Sequence, residues 1–131
     1  MNLNDLFSAS FVNLAARKAR EAVESGLGIS AAVLATIDGF AVAHALADAS
    51  DAARIAALAS SISSIGSVAT QEAGLGRCTN VILNTERGFA VVRQFQHAQQ
   101  ELVLITVADQ SALLGQVMYK TNEYVKELSE A

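Results

Sequence analysis

Residues 55–71, IAALASSISSIGSVATQ, contain no charged side chain. Soluble helices usually place Lys, Glu or Arg on the face away from the core, because ionised groups belong in water. Here two uncharged stripes recur at helical spacing. One is large and apolar (Ile55, Leu58, Ile62, Ile65 and Ala69), and the other is small and neutral (Ala53, Ala56, Ala57, Ser60, Ser63, Ser64 and Ser67). We expect the apolar stripe to face the core and the small stripe to meet a partner.

Composition restricts the class of protein. A chain of 131 residues predicts one domain spanning residues 1–131, with an N-terminal helix in residues 1–26 and a core in residues 29–128. Residues 55–71 are too polar to span a membrane, because they include five Ser, a Gly, a Thr and a Gln. A net charge of −4 without a basic stripe argues against nucleic acid as a partner.

The compartment is predicted from the N-terminus and from cysteine usage. Asn2, Asn4 and Asp5 stand where a signal peptide would be positively charged. The single cysteine, Cys78, excludes an intrachain disulfide and fits a reducing environment. We therefore expect a cytoplasmic protein that does not insert into a membrane.

Periodicity and turn residues predict the element order α-β-β-α-β-β-β-α. Asp38-Gly39 between two apolar runs predicts a hairpin, because Asp-Gly is favoured in type I′ turns. Ser50 and Asp51 are N-cap candidates for the central helix, and Asp109 for the last helix, whose expected apolar face starts with Leu113 and Leu114. The expected helices cover residues 3–25, 51–73 and those after 109, and the strands cover 29–37, 40–46, 78–84, 89–96 and 101–108.

The strand connections decide the expected architecture. All except the one through the central helix are short, which favours an antiparallel sheet. Several strands are apolar on both faces, as residues 102–107 illustrate, and such strands need cover on both sides. The prediction is an α/β chain of the α+β type, a three-layer sandwich with a five-stranded antiparallel sheet.

Catalytic signals are poor. His44 and His97 have no partner at metal-ligand spacing, and each is interpreted as a surface or hydrogen-bonded residue. Cys78 lacks an evident base and is interpreted as a small apolar filler. No phosphate-binding loop motif occurs. We expect no catalytic residue, metal or cofactor, and no enzyme activity.

Interaction signals are stronger, although each has a structural alternative. The small stripe of the central helix could simply be buried within its own domain. Placed on the surface, it would be an uncharged patch of a kind that marks contact sites. Val81, Ile82 and Leu83 would form an aggregation-prone row if their strand lies at a sheet edge, and pairing with a second copy would remove it.

The chain resembles the roadblock/dynein light chain family from about residue 22 to residue 128. The stretches at 28–34 and 37–43 are similar to the family's first hairpin, and residues 51–58 to the Ala-rich start of its central helix. Residues 102–108 and 113–115 resemble its last strand and the Leu-Gly opening of its last helix. The chain resembles the stand-alone prokaryotic form.

The resemblance implies a profilin-like fold and a homodimer in which third strands pair and central helices lie side by side. It also implies a small Ras-like GTPase as partner, with stimulation of GTP hydrolysis left open. A scaffold or localisation subunit without effect on GTP turnover is the alternative, and a small-ligand sensor or enzyme is a weaker third hypothesis, because no polar constellation supports it. The expected dimer residues are Ala56, Ser60, Ser63, Ser67, Val81, Ile82 and Leu83, and the expected partner-binding residues are Ser64, Gln71 and Arg54.

Overall fold

A computed structural model describes residues 6–47 and 51–131 of the chain. It confirms the predicted α-β-β-α-β-β-β-α order. The elements are α1 (Ala9–Val23), β1 (Ile29–Thr36), β2 (Ala41–Leu46), α2 (Ala52–Glu72), β3 (Asn80–Thr85), β4 (Gly88–His97), β5 (Gln100–Asp109) and α3 (Leu114–Ser129). The predicted helix start at Leu3 and the cap at Ser50 lie outside the described residues.

The five strands form one antiparallel sheet in the order β2-β1-β5-β4-β3. β1 and β5 lie in its interior, where Val33 is paired with His44 on one side and Ile105 on the other. β2 and β3 are the two edges. Val81, Ile82 and Leu83 therefore do lie in an edge strand, which was the condition for expecting them to pair with a second copy.

Helices cover both faces of the sheet, as expected for three layers. α1 lies over β1 and β2, and α3 lies over β4 and β5. Their shared core is closed by polar contacts as well as apolar ones. The Tyr124 hydroxyl donates to the Ala15 carbonyl at 2.7 Å, and the hydroxyls of Thr106 and Thr121 bond at 2.9 Å.

α2 covers the opposite face and contacts all five strands. Asp51 caps its start, as predicted, by accepting from the backbone amides of Ala53 and Arg54. At its end Gly74 adopts a φ of +72°, and the Leu75 amide donates to the Thr70 carbonyl at 2.8 Å. This Schellman closure explains why a glycine stops the helix there.

The start of α3 differs from the prediction. Asp109 does not cap the helix, because its carboxylate accepts from the backbone amide and hydroxyl of Ser111 and so organises the preceding turn. α3 begins only at Leu114, with Leu113 at the cap position and no side-chain bond there. Leu113 and Leu114 are consequently exposed and do not belong to the apolar face of the helix.

Candidate protein-binding surface

The side of α2 that faces the sheet is made of small residues. Ala56 and Ala59 are completely buried, and Ser60 and Ser63 are nearly so. The Ser60 hydroxyl donates to the Ile37 carbonyl, and the Ser63 hydroxyl donates to Oε1 of Gln94 at 3.0 Å. The prediction that Ala56, Ser60 and Ser63 contact a second copy is therefore wrong, since these residues are covered by the chain's own sheet.

Close approach between helix and sheet explains this arrangement. A Cβ atom added at Gly39 would lie 3.3 Å from the Ala57 Cα, and one added at Gly66 would lie 2.7 Å from Cγ2 of Val81. The sheet supplies the bulk at this contact, through buried residues such as Val33, Val103 and Ile105. Large side chains on the sheet leave room only for small ones on the helix.

The outward side of α2 carries large apolar residues. Leu58 is 55% exposed, Ile65 is 69% exposed and Val68 is 62% exposed. The predicted assignment of Leu58 and Ile65 to the core is therefore wrong, while Ile55 and Ile62 lie half-buried at the flank. Leu75, just beyond the helix end, is exposed as well. We call Leu58, Ile65, Val68 and Leu75 the outer stripe.

The outer stripe is continuous with the β3 edge. Gly66 places α2 directly over Val81, so the C-terminal half of the helix crosses this edge strand. Ile82 and Leu83 are exposed. Leu83 is paired with Ala90 and shares the α2 side of the sheet, whereas Ile82, paired with Val91, faces the α3 side. An apolar helix surface thus adjoins a strand with a free hydrogen-bonding edge.

The predicted partner-binding residues are not all brought together. Ser64 and Gln71 are exposed and lie seven residues apart, which places them on one flank of α2. Ser67 and Gln71 line a polar cleft of about 240 Å³, together with Arg77, Gln94 and Glu101 among others. Arg54 lies at the other end of α2, about 25 Å from Gln71 at 1.5 Å per residue.

The surface has little charge of its own. Arg54 and Glu72, at opposite ends, are the charged residues of α2.

By length and composition α2 is the one helix in the described residues that could cross a membrane, with a mean hydropathy of 1.3. Its buried serines bond to the sheet, however, and it contacts every strand. These contacts are those of a helix packed within a folded domain.

The histidines and the cysteine considered for catalysis lie in different parts of the fold. His97 stacks on Phe11 with ring centroids 3.9 Å apart, and His44 is exposed on β2. The Cys78 thiol lies 3.4 Å from the Asn80 carbonyl. Among residues 6–47 and 51–131 there is no group of three or more His, Cys, Asp or Glu residues placed to hold a metal.

The shifted pKa values also belong to groups outside this surface. A hydrogen bond from Lys18 to Glu127 raises the Lys18 pKa, and the bond from Ser111 lowers the Asp109 pKa. Burial raises the pKa of Tyr124. These residues lie on α1, at the end of β5 and on α3, so none of them marks the α2 surface.

Comparison with known proteins gives the same fold. A structure described as MglB with a tetrameric arrangement is 21% identical, with a TM-score of 0.81, covering 95% of this chain and 91% of that one. The gliding protein MglB from Thermus thermophilus is 20% identical, with a TM-score of 0.78 and coverages of 95% and 92%. A Roadblock/LC7 domain from Streptomyces avermitilis is 22% identical, with a TM-score of 0.77 and coverages of 88% and 94%.

A search of curated proteins finds no match. The Roadblock/LC7 domain profile matches residues 18–97, from the middle of α1 to the end of β4. That span contains α2 and β3, and members of the family are generally non-catalytic binding modules. The chain belongs to the Roadblock/LC7 family.

Proposed function

We propose that this chain is a homodimeric, cytoplasmic regulatory module for a small Ras-like GTPase. The observation that carries the proposal is the continuous surface formed by the outer stripe and the β3 edge. Exposed apolar patches of this kind mark protein contacts, and a free strand edge favours pairing with another strand. Membership of the Roadblock/LC7 family supports the choice of partner.

In the proposed dimer, β3 pairs with β3 of a second copy and the outer stripes of the two α2 helices meet. Leu58, Ile65 and Val68 replace Ala56, Ser60 and Ser63 as the helix contacts. Val81, Ile82 and Leu83 remain in the proposed interface, whereas Ser67, which lines the polar cleft with Gln71, is assigned to the partner-binding flank instead. The pairing satisfies the free backbone groups of β3 and covers apolar side chains in one step.

The GTPase contact is proposed for the polar flank of α2, where Ser64, Ser67 and Gln71 stay accessible beside the apolar seam. An arginine finger is a poor fit, because Arg54 is distant from this flank. A regulator of this type would instead order the catalytic residues of the GTPase itself. The module would then act by binding, without chemistry of its own.

The test is retention of a Ras-like GTPase from the native cytoplasm on the immobilised protein, in GDP and in a non-hydrolysable GTP analogue. We expect retention that depends on the nucleotide. Ser64→Glu should lower it at least about fivefold, because the added charge must be desolvated in the contact. Gln116→Glu, an equivalent change on the exposed side of α3, is the control.

Equal retention in both nucleotides, or no retained GTPase, would contradict the proposal. Turnover of GTP by the captured protein separates the two versions of the function. Faster turnover identifies a regulator of hydrolysis. Unchanged turnover with intact binding identifies the scaffold or localisation subunit.

A further inference from the structure

The face of β3 on the α3 side of the sheet is left open. α3 packs over β4 and β5, and α1 packs over β1 and β2. Asn80, Ile82 and Asn84 alternate along β3 on this side, and Ile82 and Asn84 are exposed. Pairing of β3 with a second copy would use the edge of the strand and would leave this face accessible. An open strip therefore runs beside α3, on the side of the sheet opposite α2.

Arg93 lies at the boundary between this strip and α3. It is paired with Asn80 on one side and with Leu104 of the core on the other. Its Nη1 donates to Oδ1 of Asn122 on α3, and its Nε is buried without a hydrogen-bond partner. In the parts of the chain that the structure describes, no Asp or Glu forms an ion pair with Arg93. The guanidinium is therefore partly desolvated, and its charge is not compensated.

A charge that is withdrawn from water normally has a partner of opposite sign. The bond to Asn122 occupies Nη1 and leaves the side of the guanidinium formed by Nε and Nη2, which suits a carboxylate bound through two parallel hydrogen bonds. The neighbouring carboxylates of α3 are already engaged. Glu123 binds Lys120 at 3.3 Å, and Glu127 binds Lys18. A carboxylate from another molecule therefore fits the position.

The surroundings of Arg93 are suited to a protein segment. Tyr119, one turn before Asn122 on α3, is 71% exposed, and the two residues line a groove of about 460 Å³. Ile82 is exposed on the β3 side of Arg93, two residues along the strand from Asn80. Tyrosine and arginine are enriched among the residues that contribute most to binding at protein interfaces. An uncompensated charge thus lies between two accessible apolar side chains.

We propose that Ile82, Arg93, Tyr119 and Asn122, which we call the α3 flank, bind a segment of a partner protein in which an Asp or Glu adjoins a large apolar residue. The carboxylate bonds to the guanidinium of Arg93, and the apolar side chain contacts Ile82 and Tyr119. The α3 flank lies on the opposite face of the sheet from Ser64, so this site is separate from the proposed GTPase contact and does not depend on it. The module then holds two partners, one on each face of its sheet.

The test is selection of a random peptide library, displayed on phage, against the immobilised chain. We expect the enriched peptides to share an Asp or Glu beside a large apolar residue. In synthetic copies, replacing that acid by Asn or Gln should weaken binding at least about tenfold, because the charge-assisted bonds to Arg93 are lost. Arg93→Gln should cause a similar loss in fluorescence anisotropy. Arg87→Gln is the control, because it removes the same charge from a groove on the α2 side beside Leu83 and Ala90.

Asn122→Asp tests the same contact without removing the arginine. The new carboxylate gives Arg93 a partner within the chain, so the affinity for acidic peptides should fall at least about tenfold. Gln116→Asp adds the same charge at another exposed position of α3 and should change the affinity by less than about twofold. Circular dichroism checks that all variants remain folded.

A selection that enriches no peptides, or peptides without an acidic residue, would overturn the proposal. An unchanged affinity in Arg93→Gln or in Asn122→Asp would do the same. Peptides that lose affinity in Ser64→Glu but not in Asn122→Asp would be bound on the α2 face, which would exclude the α3 flank and leave the proposed GTPase contact standing.

Discussion

The two sides of α2 differ in the opposite sense from a usual amphipathic helix. The side against the sheet carries Ala56, Ala59, Ser60 and Ser63, whereas the side toward solvent carries Leu58, Ile65 and Val68. In a helix packed at ordinary distance, the large residues would point inward. The small residues on the inner side of this helix indicate a short distance between helix and sheet. The large residues on its outer side form a free apolar surface.

The largest expected effect comes from a charge on the inward side. Ala59→Glu should lower the free energy of unfolding by about 3 kcal/mol or more, because the carboxylate would be buried without a partner. Val68→Glu, the same change on the outward side, should alter monomer stability by no more than about 0.5 kcal/mol. Chemical denaturation at low protein concentration measures both. Equal losses of stability in the two variants would contradict the assignment of one side of α2 to the core and the other to the surface.

The next effect concerns the proposed dimer. Ile65→Asp should weaken self-association through the β3 and α2 surface by about 100-fold, because a charge would enter the apolar seam. The monomer should keep its helical circular dichroism, since Ile65 is not part of the core. Sedimentation of Ile65→Asp beside Gln116→Asp gives the comparison. An unchanged dissociation constant would exclude the outer stripe from the contact.

A smaller effect tests the close approach itself. Gly66→Ala should lower the free energy of unfolding by about 1 kcal/mol, because the new methyl group meets Val81 and the helix must shift. Gly115→Ala meets no atom within 4 Å and should raise it by about 0.5–1 kcal/mol through better helix propensity. Thermal unfolding of the two variants measures the difference. A gain at both positions would mean that α2 has room to move away from β3.

The smallest expected effect concerns Asp109, which lies away from α2 and serves as a control for the α2 variants. The hydrogen bonds from Ser111 hold the pKa of Asp109 below its ordinary value, so their contribution to stability is present above the unfolded-state pKa. It is lost as the pH falls through the lowered pKa. In Ser111→Ala the Asp109 pKa should rise toward its ordinary value, as followed by NMR titration. Self-association should not change, and a change would extend the contact surface to this turn.

Much of the fold was predictable because its signals are local. The Asp38-Gly39 hairpin, the Asp51 cap and the Gly74 stop each depend on a few neighbouring residues. The turn is not of the expected type I′, however, because only Gly39 of the pair has a positive φ. The start of α3 was not predictable in this way, because Asp109 has a choice of nearby donors and takes those of Ser111. Val68 and Leu75 were missed as surface residues, because Val68 belongs to neither predicted stripe and Leu75 lies beyond the end of the helix.

The sequence by itself determined the order of elements, the family resemblance and the existence of two uncharged stripes on the central helix. Only the tertiary structure decided which residues of each stripe are buried. Helical spacing fixes the angle between two stripes but carries no information about the distance to a neighbouring layer. That distance follows from the bulk of Val33, Val103 and Ile105 on the sheet, which leaves space for alanine and serine on the helix and turns leucine, isoleucine and valine toward solvent.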